Sequence, residues 1–379
     1  MSDNSRSRAP SPPRVWIVAP SPPPYGGMSV QAEKLRNRLV SEGIAAELIS
    51  TNPAPPRPFK ILARIPVVRT ILRETQYLLS LGRIVRNPSV VHHLSASHLY
   101  FFLHSAPLLI LGKWSPTKVV LNYRGGKAAD FLRSWSWAVL PLMGLADQVV
   151  VPSEYLRRVF LSFGLTSTLL PNAADTGRFP FPDREHFSPR LFVSRNLEPM
   201  YDVECVLRAF RIIQEKSPMA TLGIAGEGSQ ASRLQSLVGE WGLRGVSFYG
   251  AVPYTELPSF YAHHDIYVNA SRVDNFPGAL VEAACAGLPI VSTRAGGIPE
   301  MIRHRENGLL VEVGDDQALA RCVLELLAQQ SLARQMARAA RSWAEQFSWN
   351  NVFPQLLRCY GFENERPEAG LNSGRVLVH

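Results

Sequence analysis

Short apolar runs alternate with longer amphipathic segments along almost the whole chain of 379 residues. The runs end in turn-forming residues such as Gly, Pro, Asn and Asp, as buried strands of a parallel sheet do. This alternation predicts an α/β fold of doubly wound, Rossmann-like units. The predicted strands lie near residues 14–19, 46–51, 90–94, 118–123, 147–151 and 167–170, and then near 190–194, 219–225, 246–250, 265–269, 289–293 and 309–312.

Two sets of six predicted strands indicate two domains of ordinary size. A turn-rich stretch at 175–189 interrupts the periodicity with three prolines, so we place the boundary there. Because ligands bind at the carboxyl ends of the strands in doubly wound sheets, two such domains would face each other across a cleft. The predicted division is a disordered tail at 1–13, a first domain at 14–182, a second at 183–348, and a C-terminal crossover helix and tail at 349–379.

The most distinctive short motif is DNFPGALVE at residues 274–282. Pro277 suits the first turn of a helix, and the free N–H groups at a helix N-terminus attract an anion. Asp274 precedes the turn, and Glu282 follows two turns later on the same side as Gly278. Both carboxylates could accept hydrogen bonds from ligand hydroxyls, but an ordinary capped helix accounts for them equally well.

Further segments of the second half occur in a recognisable order. An apolar run ends in Gly226-Glu227-Gly228, another leads directly into Asp274, and the sequence RAGGIPE follows at 294–300. Together with the 274–282 motif, this order resembles the retaining glycosyltransferases of the GT-B fold, family four, also called group 1. Asp274 stands where that family has the first Glu of its Glu-x7-Glu signature. The resemblance implies transfer of a sugar from a UDP- or GDP-sugar donor to a saccharide or lipid-linked acceptor.

The resemblance also implies roles for individual residues. It assigns Asp274 to the sugar hydroxyls and Glu282 to the ribose of the nucleotide. In the first domain it assigns the glycine pair Gly26-Gly27, before a helix predicted at about 29–40, to the diphosphate and the acceptor. By itself this pair suits a plain strand-to-helix turn better. The other donor contacts implied are Gly226, Phe276, Pro277, Gly278 and Ala279.

The cation expected at the diphosphate departs from the family pattern. The family has an Arg and a Lys about six residues apart at the start of the second domain. Arg195 matches the Arg, although a surface Arg at a strand end is the simpler interpretation without the family, and the Lys position holds Tyr201. Tyr donates one hydrogen bond but brings no charge. Either turnover is weakened or another cation substitutes, for which the candidates are Arg124, Arg272 and Arg294.

Arg124 stands on a glycine turn, Arg124-Gly125-Gly126, where the family often has a His. A cation on such a turn suits a phosphate or an acidic acceptor. We therefore rank Arg124, with Arg195 and Asp274, as a catalytic candidate. The histidines at 92, 93, 98 and 104 rank below it, because a lone His in an apolar stretch is usually structural. The sequence LPNAAD at 170–175 resembles the end of the family's first domain, with Ala173 in place of Gly.

Composition limits the class of protein and the compartment in which it is expected. Hydrophobic residues make up 46% and charged residues 19%, which is typical of a globular protein. No stretch reaches the roughly eighteen apolar residues of a spanning helix, and the N-terminus lacks the apolar core of a signal peptide. Four scattered cysteines favour a reduced, cytoplasmic compartment. Without an Asp-x-Asp triad we expect no essential metal, and no cofactor apart from the nucleotide-sugar substrate.

Positive charge is concentrated in the first half of the chain. Residues 1–182 contain 21 Lys and Arg against 9 Asp and Glu, whereas residues 183–379 contain 19 against 22. In the segment 57–86, seven basic residues alternate with large aliphatic ones, which fits a surface resting on anionic lipid headgroups on the inner face of a membrane. An amphipathic helix pair packed on the first domain fits equally well. Nucleic acid fits less well, since the segment lacks interleaved aromatics.

Two other classes of function remain as alternatives. A degenerate, non-enzymatic protein that binds nucleotide or a glycolipid as a partner subunit would account for Tyr201 and for Asp in place of Glu at position 274. A nicotinamide-dependent dehydrogenase would require a Gly-x-Gly-x-x-Gly turn after the first strand. Gly26-Gly27 does not supply that turn, which disfavours the dehydrogenase.

Overall fold

Two parallel six-stranded sheets form the protein, as a computed structural model of residues 14–22, 27–55, 65–84 and 89–362 describes them. The fold class is confirmed, and each predicted strand is present within two residues of its predicted bounds. In the first sheet the strands are β1 (Val15–Ala19), β2 (Ala46–Ser50), β3 (Val90–Ser95), β4 (Lys118–Tyr123), β5 (Gln148–Val151) and β6 (Thr168–Leu169). In the second they are β7 (Arg190–Ser194), β8 (Thr221–Ala225), β9 (Val246–Gly250), β10 (Ile266–Val268), β11 (Ile290–Thr293) and β12 (Leu309–Val311).

Helices connect the strands and cover both faces of each sheet. The first half contains α1 (Gly27–Ser41), α2 (Pro66–Leu81), α3 (Ala106–Lys113), α4 (Ala128–Met143) and α5 (Glu154–Ser162). The second half contains α6 (Val203–Lys216), α7 (Ala231–Glu240), α8 (Leu257–His263), α9 (Gly278–Cys285), α10 (Ile298–Met301), α11 (Asp316–Ala328), α12 (Gln330–Ala344) and α13 (Trp349–Tyr360). Ser153 caps α5 by accepting a hydrogen bond from the Leu156 backbone.

Some of the predicted features lie outside the described residues. These are the tail at 1–13, Gly26 of the glycine pair, the end of the C-terminal tail at 363–379, and four of the basic residues at Arg57, Lys60, Arg64 and Arg86.

The inner strand β1 illustrates why the strands are continuous apolar runs in the sequence. Val15 and Ile17 belong to the core formed with α1 and α13, whereas Trp16 and Val18 point to the opposite face. On that face they pack with Tyr77 of α2. Alternate residues of a strand point to opposite sides, so a strand covered by helices on both faces needs apolar residues throughout.

The order of the strands locates the site in the second domain. The second sheet runs β12-β11-β10-β7-β8-β9, so β7 and β10 are neighbours although they are far apart in sequence. The strand order reverses between them, and ligands of doubly wound sheets bind in the crevice at such a reversal. The chain leaves β7 at Arg195 and leaves β10 towards Asp274, which brings both candidate residues to this crevice.

The end of the chain returns to the first domain. The Ala174 backbone N–H donates to the Phe347 carbonyl oxygen over 2.8 Å, and α13 then packs Val352, Phe353 and Leu356 into the core beneath the first sheet. Ala173, at the position where the family has Gly, is buried in the same core. A helix that follows the second domain in sequence therefore contributes to the stability of the first.

One helix start differs from its prediction. Pro277 was predicted in the first turn of a helix, but it lies just before α9, as the capping residue, with φ −67° and ψ 110°. Its ring fixes φ at a value that a helix accepts, whereas its extended ψ delays the helix to Gly278.

We expect Leu356→Ala, which truncates a buried side chain of α13, to lower the free energy of unfolding by about 2–5 kcal/mol. The matched control is Asn350→Ala on the exposed face of the same helix, where we expect a change within about 0.5 kcal/mol. Denaturant unfolding followed by fluorescence measures both. Equal stability of the two variants would mean that α13 does not hold the first domain together.

Candidate active site

Arg195 and Asp274 form an ion pair at the crevice between β7 and β10. The Arg195 guanidinium donates to the Asp274 carboxylate, and the side chains are only 10% and 14% exposed. Arg195 also donates to the Ser271 hydroxyl over 3.3 Å. Two candidate residues that are 79 positions apart in sequence are therefore in direct contact.

Tyr201, at the position where the family has Lys, supports Arg195 through its ring. The guanidinium carbon of Arg195 lies 4.2 Å from the centroid of the Tyr201 ring, within the range of a cation–π contact. Tyr201 ends a short 3₁₀ turn before α6, and Asp202 caps that helix. Asp202 also accepts a hydrogen bond of 2.8 Å from Arg272, which was one of the candidate substitute cations.

Glycines allow the backbone to approach these residues closely. Gly226 has φ +144°, and a Cβ there would overlap the Arg195 carbonyl oxygen. At Gly296 and Gly297 a Cβ would overlap the carbonyl oxygens of Asp274 and Asn275. The turns after β8 and β11 therefore require glycine because they pack against the backbone of the site.

Glu282 forms a second ion pair, and this one joins the two domains. One of its carboxylate oxygens, Oε1, lies 3.4 Å from Lys34 Nζ on α1, and the other, Oε2, accepts a 3.2 Å hydrogen bond from the Tyr261 hydroxyl. The two side chains of the pair are 11% and 7% exposed. Burial raises the pKa of Glu282 and lowers that of Lys34, while the attraction between them opposes both shifts. The Lys34 ammonium also lies 3.6 Å from the Tyr254 ring centroid.

Asn275 and Asn172 attach the first domain to the start of α9. The side-chain amide of Asn275 donates to the carbonyl oxygens of Arg124 and Gly125 over 3.1 and 2.9 Å. The amide of Asn172 donates to the Phe276 carbonyl oxygen over 3.3 Å and accepts from the Arg124 guanidinium. Burial lowers the pKa of Arg124 to about 10. Arg124 thus lies at the domain junction, with its side chain held by Asn172.

The remaining candidates have varied surroundings. The Phe276 ring packs edge-on against Phe347 in the core, with centroids 5.0 Å apart, so only its backbone remains for a ligand. Gly278 and Ala279 form the first turn of α9. Gly27 begins α1, and a Cβ at this position would meet no other atom within 4 Å. Arg294 lies 3.4 Å from Glu312 at the surface.

The histidines near Arg124 have structural contacts. His93 hydrogen-bonds the Val18 carbonyl oxygen over 2.9 Å and the Ser105 hydroxyl over 2.8 Å, and His92 hydrogen-bonds Asn122 and Tyr360. Burial lowers the pKa of His93 to about 4 and that of His92 to about 3. Both rings are therefore neutral at physiological pH.

A cavity of about 410 Å³ lies beside Tyr201, between the 3₁₀ turn and the helices α6 and α7. Neither Asp274 nor Glu282 is among its lining residues. Its charged lining residues are Glu198, Asp202, Glu204, Arg208, Arg233 and Arg272.

Lys34, Asn172, Asn275 and Tyr261 are contact residues that the sequence analysis missed. Asn275 lies inside the 274–282 motif and Asn172 inside the 170–175 segment, so position in a motif was an available signal for both. Lys34 and Tyr261 belong to no motif. Only the packing of α1 and α8 against α9 brings these two to Glu282.

Two family models match the chain on either side of this junction. The model described as Glycosyltransferase Family 4 matches residues 25–178, and the model described as Glycosyl transferases group 1 matches residues 182–343. The chain belongs to the group 1 glycosyltransferases of the GT-B fold. Together the two matches take in every strand except β1, and the complete 274–282 motif.

Individual relatives agree with this membership. A GDP-mannose-dependent alpha-(1-6)-phosphatidylinositol monomannoside mannosyltransferase of Mycolicibacterium smegmatis is 29% identical over 303 residues, covering 71% of this chain and 78% of the relative. The sulfoquinovosyl transferase SQD2 of Arabidopsis thaliana is 26% identical and covers 69% of this chain and 54% of the relative.

Solved structures share the fold. A sucrose-phosphate synthase of Thermosynechococcus elongatus has a TM-score of 0.71 at 18% identity, covering 92% of this glycosyltransferase and 98% of the synthase. Anabaena HepE in complex with UDP-glucose has a TM-score of 0.68 at 17% identity, covering 92% and 99% of the two chains.

We expect Lys34→Met to lower the free energy of unfolding of this glycosyltransferase by about 3 kcal/mol, because it leaves the Glu282 carboxylate buried without its cation. The double variant Lys34→Met/Glu282→Gln removes both charges, so it should recover most of the loss. Denaturant unfolding at neutral pH compares the two. If the single and double variants are equally unstable, the ion pair does not determine the stability of this contact.

Proposed function

We propose that this glycosyltransferase transfers a sugar with retention of configuration, from a UDP- or GDP-sugar to a saccharide or lipid-linked acceptor, without an essential metal ion. The observation that carries the proposal is the convergence of Arg195, Asp274 and the N-terminus of α9 at the crevice between β7 and β10. This arrangement offers a cation and free N–H groups for a diphosphate beside carboxylates for hydroxyls.

In the proposed complex the donor lies along the 274–282 segment. Asp274 accepts hydrogen bonds from hydroxyls of the transferred sugar, and Glu282 accepts them from the ribose. The backbone around Gly226, Pro277 and Gly278 approaches the donor, because glycine and a helix start leave N–H groups accessible. Gly27, at the start of α1, faces the same donor from the first domain. Tyr201 holds Arg195 in place through its ring.

In the chemical step, the leaving group needs the most stabilisation. The bond between the anomeric carbon and the diphosphate oxygen breaks, its electron pair goes to the diphosphate, and the acceptor oxygen bonds to the anomeric carbon. Negative charge therefore grows on the diphosphate, where a fixed guanidinium and the helix N-terminus stabilise it. In the retaining route proposed, the acceptor attacks from the face that the diphosphate leaves, and the diphosphate takes the acceptor's proton.

The proposed independence of a metal rests on this distribution of charge. Arg195 and the α9 N-terminus supply at the diphosphate the positive charge that a divalent ion supplies in other transferases. Arg124 lies on the acceptor side of the junction. Its guanidinium is held by Asn172 and its carbonyl oxygen by Asn275, so we assign it to positioning the two domains around the reacting centre.

We expect calorimetry with a UDP, GDP and ADP panel in EDTA to find binding of one diphosphate by the wild type. Arg195→Ala and Glu282→Ala should each weaken it by at least about tenfold, because each removes a charge-assisted contact. Arg211→Ala, an exposed arginine on α6, serves as the control and should bind as the wild type does.

Binding that appears only after Mg²⁺ or Mn²⁺ is added would contradict metal independence. Failure of the wild type to bind any of the three nucleotides would favour the non-enzymatic partner instead.

We also propose that the first domain rests on an anionic membrane surface through α2, α3 and α4. Of the sixteen large apolar side chains that are exposed in the described residues, eleven lie between residues 65 and 137. Trp114 and Trp137 are the most exposed of these, at 89% and 76%. Large apolar patches of this kind mark interaction sites, and Trp is favoured at the boundary between lipid and water.

The charge of this surface complements anionic headgroups. Between residues 65 and 143 the chain has nine Lys and Arg but only two acids, Glu74 and Asp130. Glu74 lies 3.4 Å from His104, and Asp130 pairs with Arg133. Arg69, Arg83 and Lys113 are exposed among the apolar side chains. In the described residues no helix is long and apolar enough to cross a bilayer.

We expect co-sedimentation with vesicles containing anionic lipid and much less with neutral vesicles, since attraction to the headgroups adds to apolar insertion. The variant Trp114→Ser/Trp137→Ser should lose most of this binding. Met219→Ser, which replaces an 84% exposed side chain on the second domain, should not. Equal failure of the wild type to bind both kinds of vesicle would rule out the proposed surface.

A further inference from the structure

Two ion pairs line the proposed donor site, and each consists of one basic side chain and one carboxylate. Arg195 pairs with Asp274, and Lys34 pairs with Glu282. In each pair the acid is a residue to which we assign donor hydroxyls, and the cation is one that a phosphate can attract. The first pair lies within the second domain, whereas the second joins α1 to α9 across the junction.

The other cations near the site have partners that the donor would not displace. Arg124 is bonded to Asn172, Arg272 to Asp202, and Arg294 lies beside Glu312. None of these partners is assigned to the donor. Among the five cations considered, donor binding therefore releases only Arg195 and Lys34.

We propose that Lys34 supplies the second cation of the diphosphate site, the charge that Tyr201 does not bring. The inference rests on the proposed function, because it requires a nucleotide whose ribose is held by Glu282. The diphosphate is attached to that same ribose, so ribose hydroxyls on Glu282 bring phosphate oxygens close to the Lys34 ammonium. A Lys side chain has four flexible methylene groups and three N–H donors, which let it turn from a carboxylate to a neighbouring phosphate.

An exchange of partners keeps both charges paired. Before donor binding, the Glu282 carboxylate and the Lys34 ammonium neutralise each other in surroundings that include the Tyr254 ring and the Tyr261 hydroxyl. After the exchange, Glu282 is bonded to ribose hydroxyls and Lys34 to the diphosphate. Since an unpaired buried charge is strongly unfavourable, donor hydroxyls and donor phosphate are needed together to replace the pair. A nucleoside without phosphates supplies the hydroxyls for Glu282 but no phosphate for Lys34.

Calorimetry with a nucleoside and its diphosphate tests the exchange directly. The base is the one that the wild type binds best among UDP, GDP and ADP. In Lys34→Met we expect diphosphate affinity to fall by about tenfold to a hundredfold, while nucleoside affinity stays the same or rises because Glu282 is released. Lys34→Arg should keep most of the preference for the diphosphate. Lys216→Met, an exposed lysine at the end of α6, should bind as the wild type does.

Three further variants separate the effect of charge from the effect on folding. Lys34→Met/Glu282→Gln compared with Glu282→Gln alone measures the contribution of the ammonium in a background without a lone buried carboxylate. Tyr201→Lys added to Lys34→Met returns a cation to the position where the family has one, and should restore part of the diphosphate affinity.

The outcomes distinguish the inference from the proposed function. If Lys34→Met changes nucleoside and diphosphate affinity by the same factor, Lys34 only holds the domains together and the inference is wrong. If the wild type binds none of the three diphosphates, the proposed function fails and the inference fails with it. A selective loss of diphosphate affinity, in both backgrounds, supports Lys34 as the second cation.

Discussion

The pairing of two largely buried carboxylates is the constraint on which the site depends. Asp274 and Glu282 stand at the two ends of one nine-residue segment, and both are largely removed from water. A carboxylate in such surroundings is stable only with a cation or several hydrogen-bond donors. Arg195 and Lys34 provide the cations, so the positions of the loop after β7 and of helix α1 are both fixed relative to α9.

The two pairs have different structural consequences. Arg195 and Asp274 both belong to the second domain, so their contact survives any change in the relation between the domains. Lys34 and Asn275 make contacts across the junction, and these exist only while the first domain lies against the start of α9. The proposed donor site thus depends partly on contacts within the second domain and partly on contacts between the domains.

The first domain presents two separate faces. One presents α1 and the Arg124 turn to α9, and the other presents the tryptophans and basic residues of α2, α3 and α4. Helix α13 stabilises this domain from the opposite side of the sheet to α2. An acceptor with a lipid portion would suit a protein whose proposed acceptor-binding domain also carries the apolar surface.

The sequence by itself determined the strands, the two-sheet architecture and the family, because runs of apolar residues and ordered motifs are local signals. It also indicated Arg195 and Asp274, since each lies at the end of a strand in a recognisable motif. Only the tertiary structure decided which charges meet. The Lys34–Glu282 contact joins residues 248 positions apart. Tyr201, at the position where the family has Lys, makes a ring contact with Arg195. The first contact depends on the packing of helices from different domains, and the second on the turn that joins β7 to α6. A lone Lys or Tyr carries no local sign of either contact.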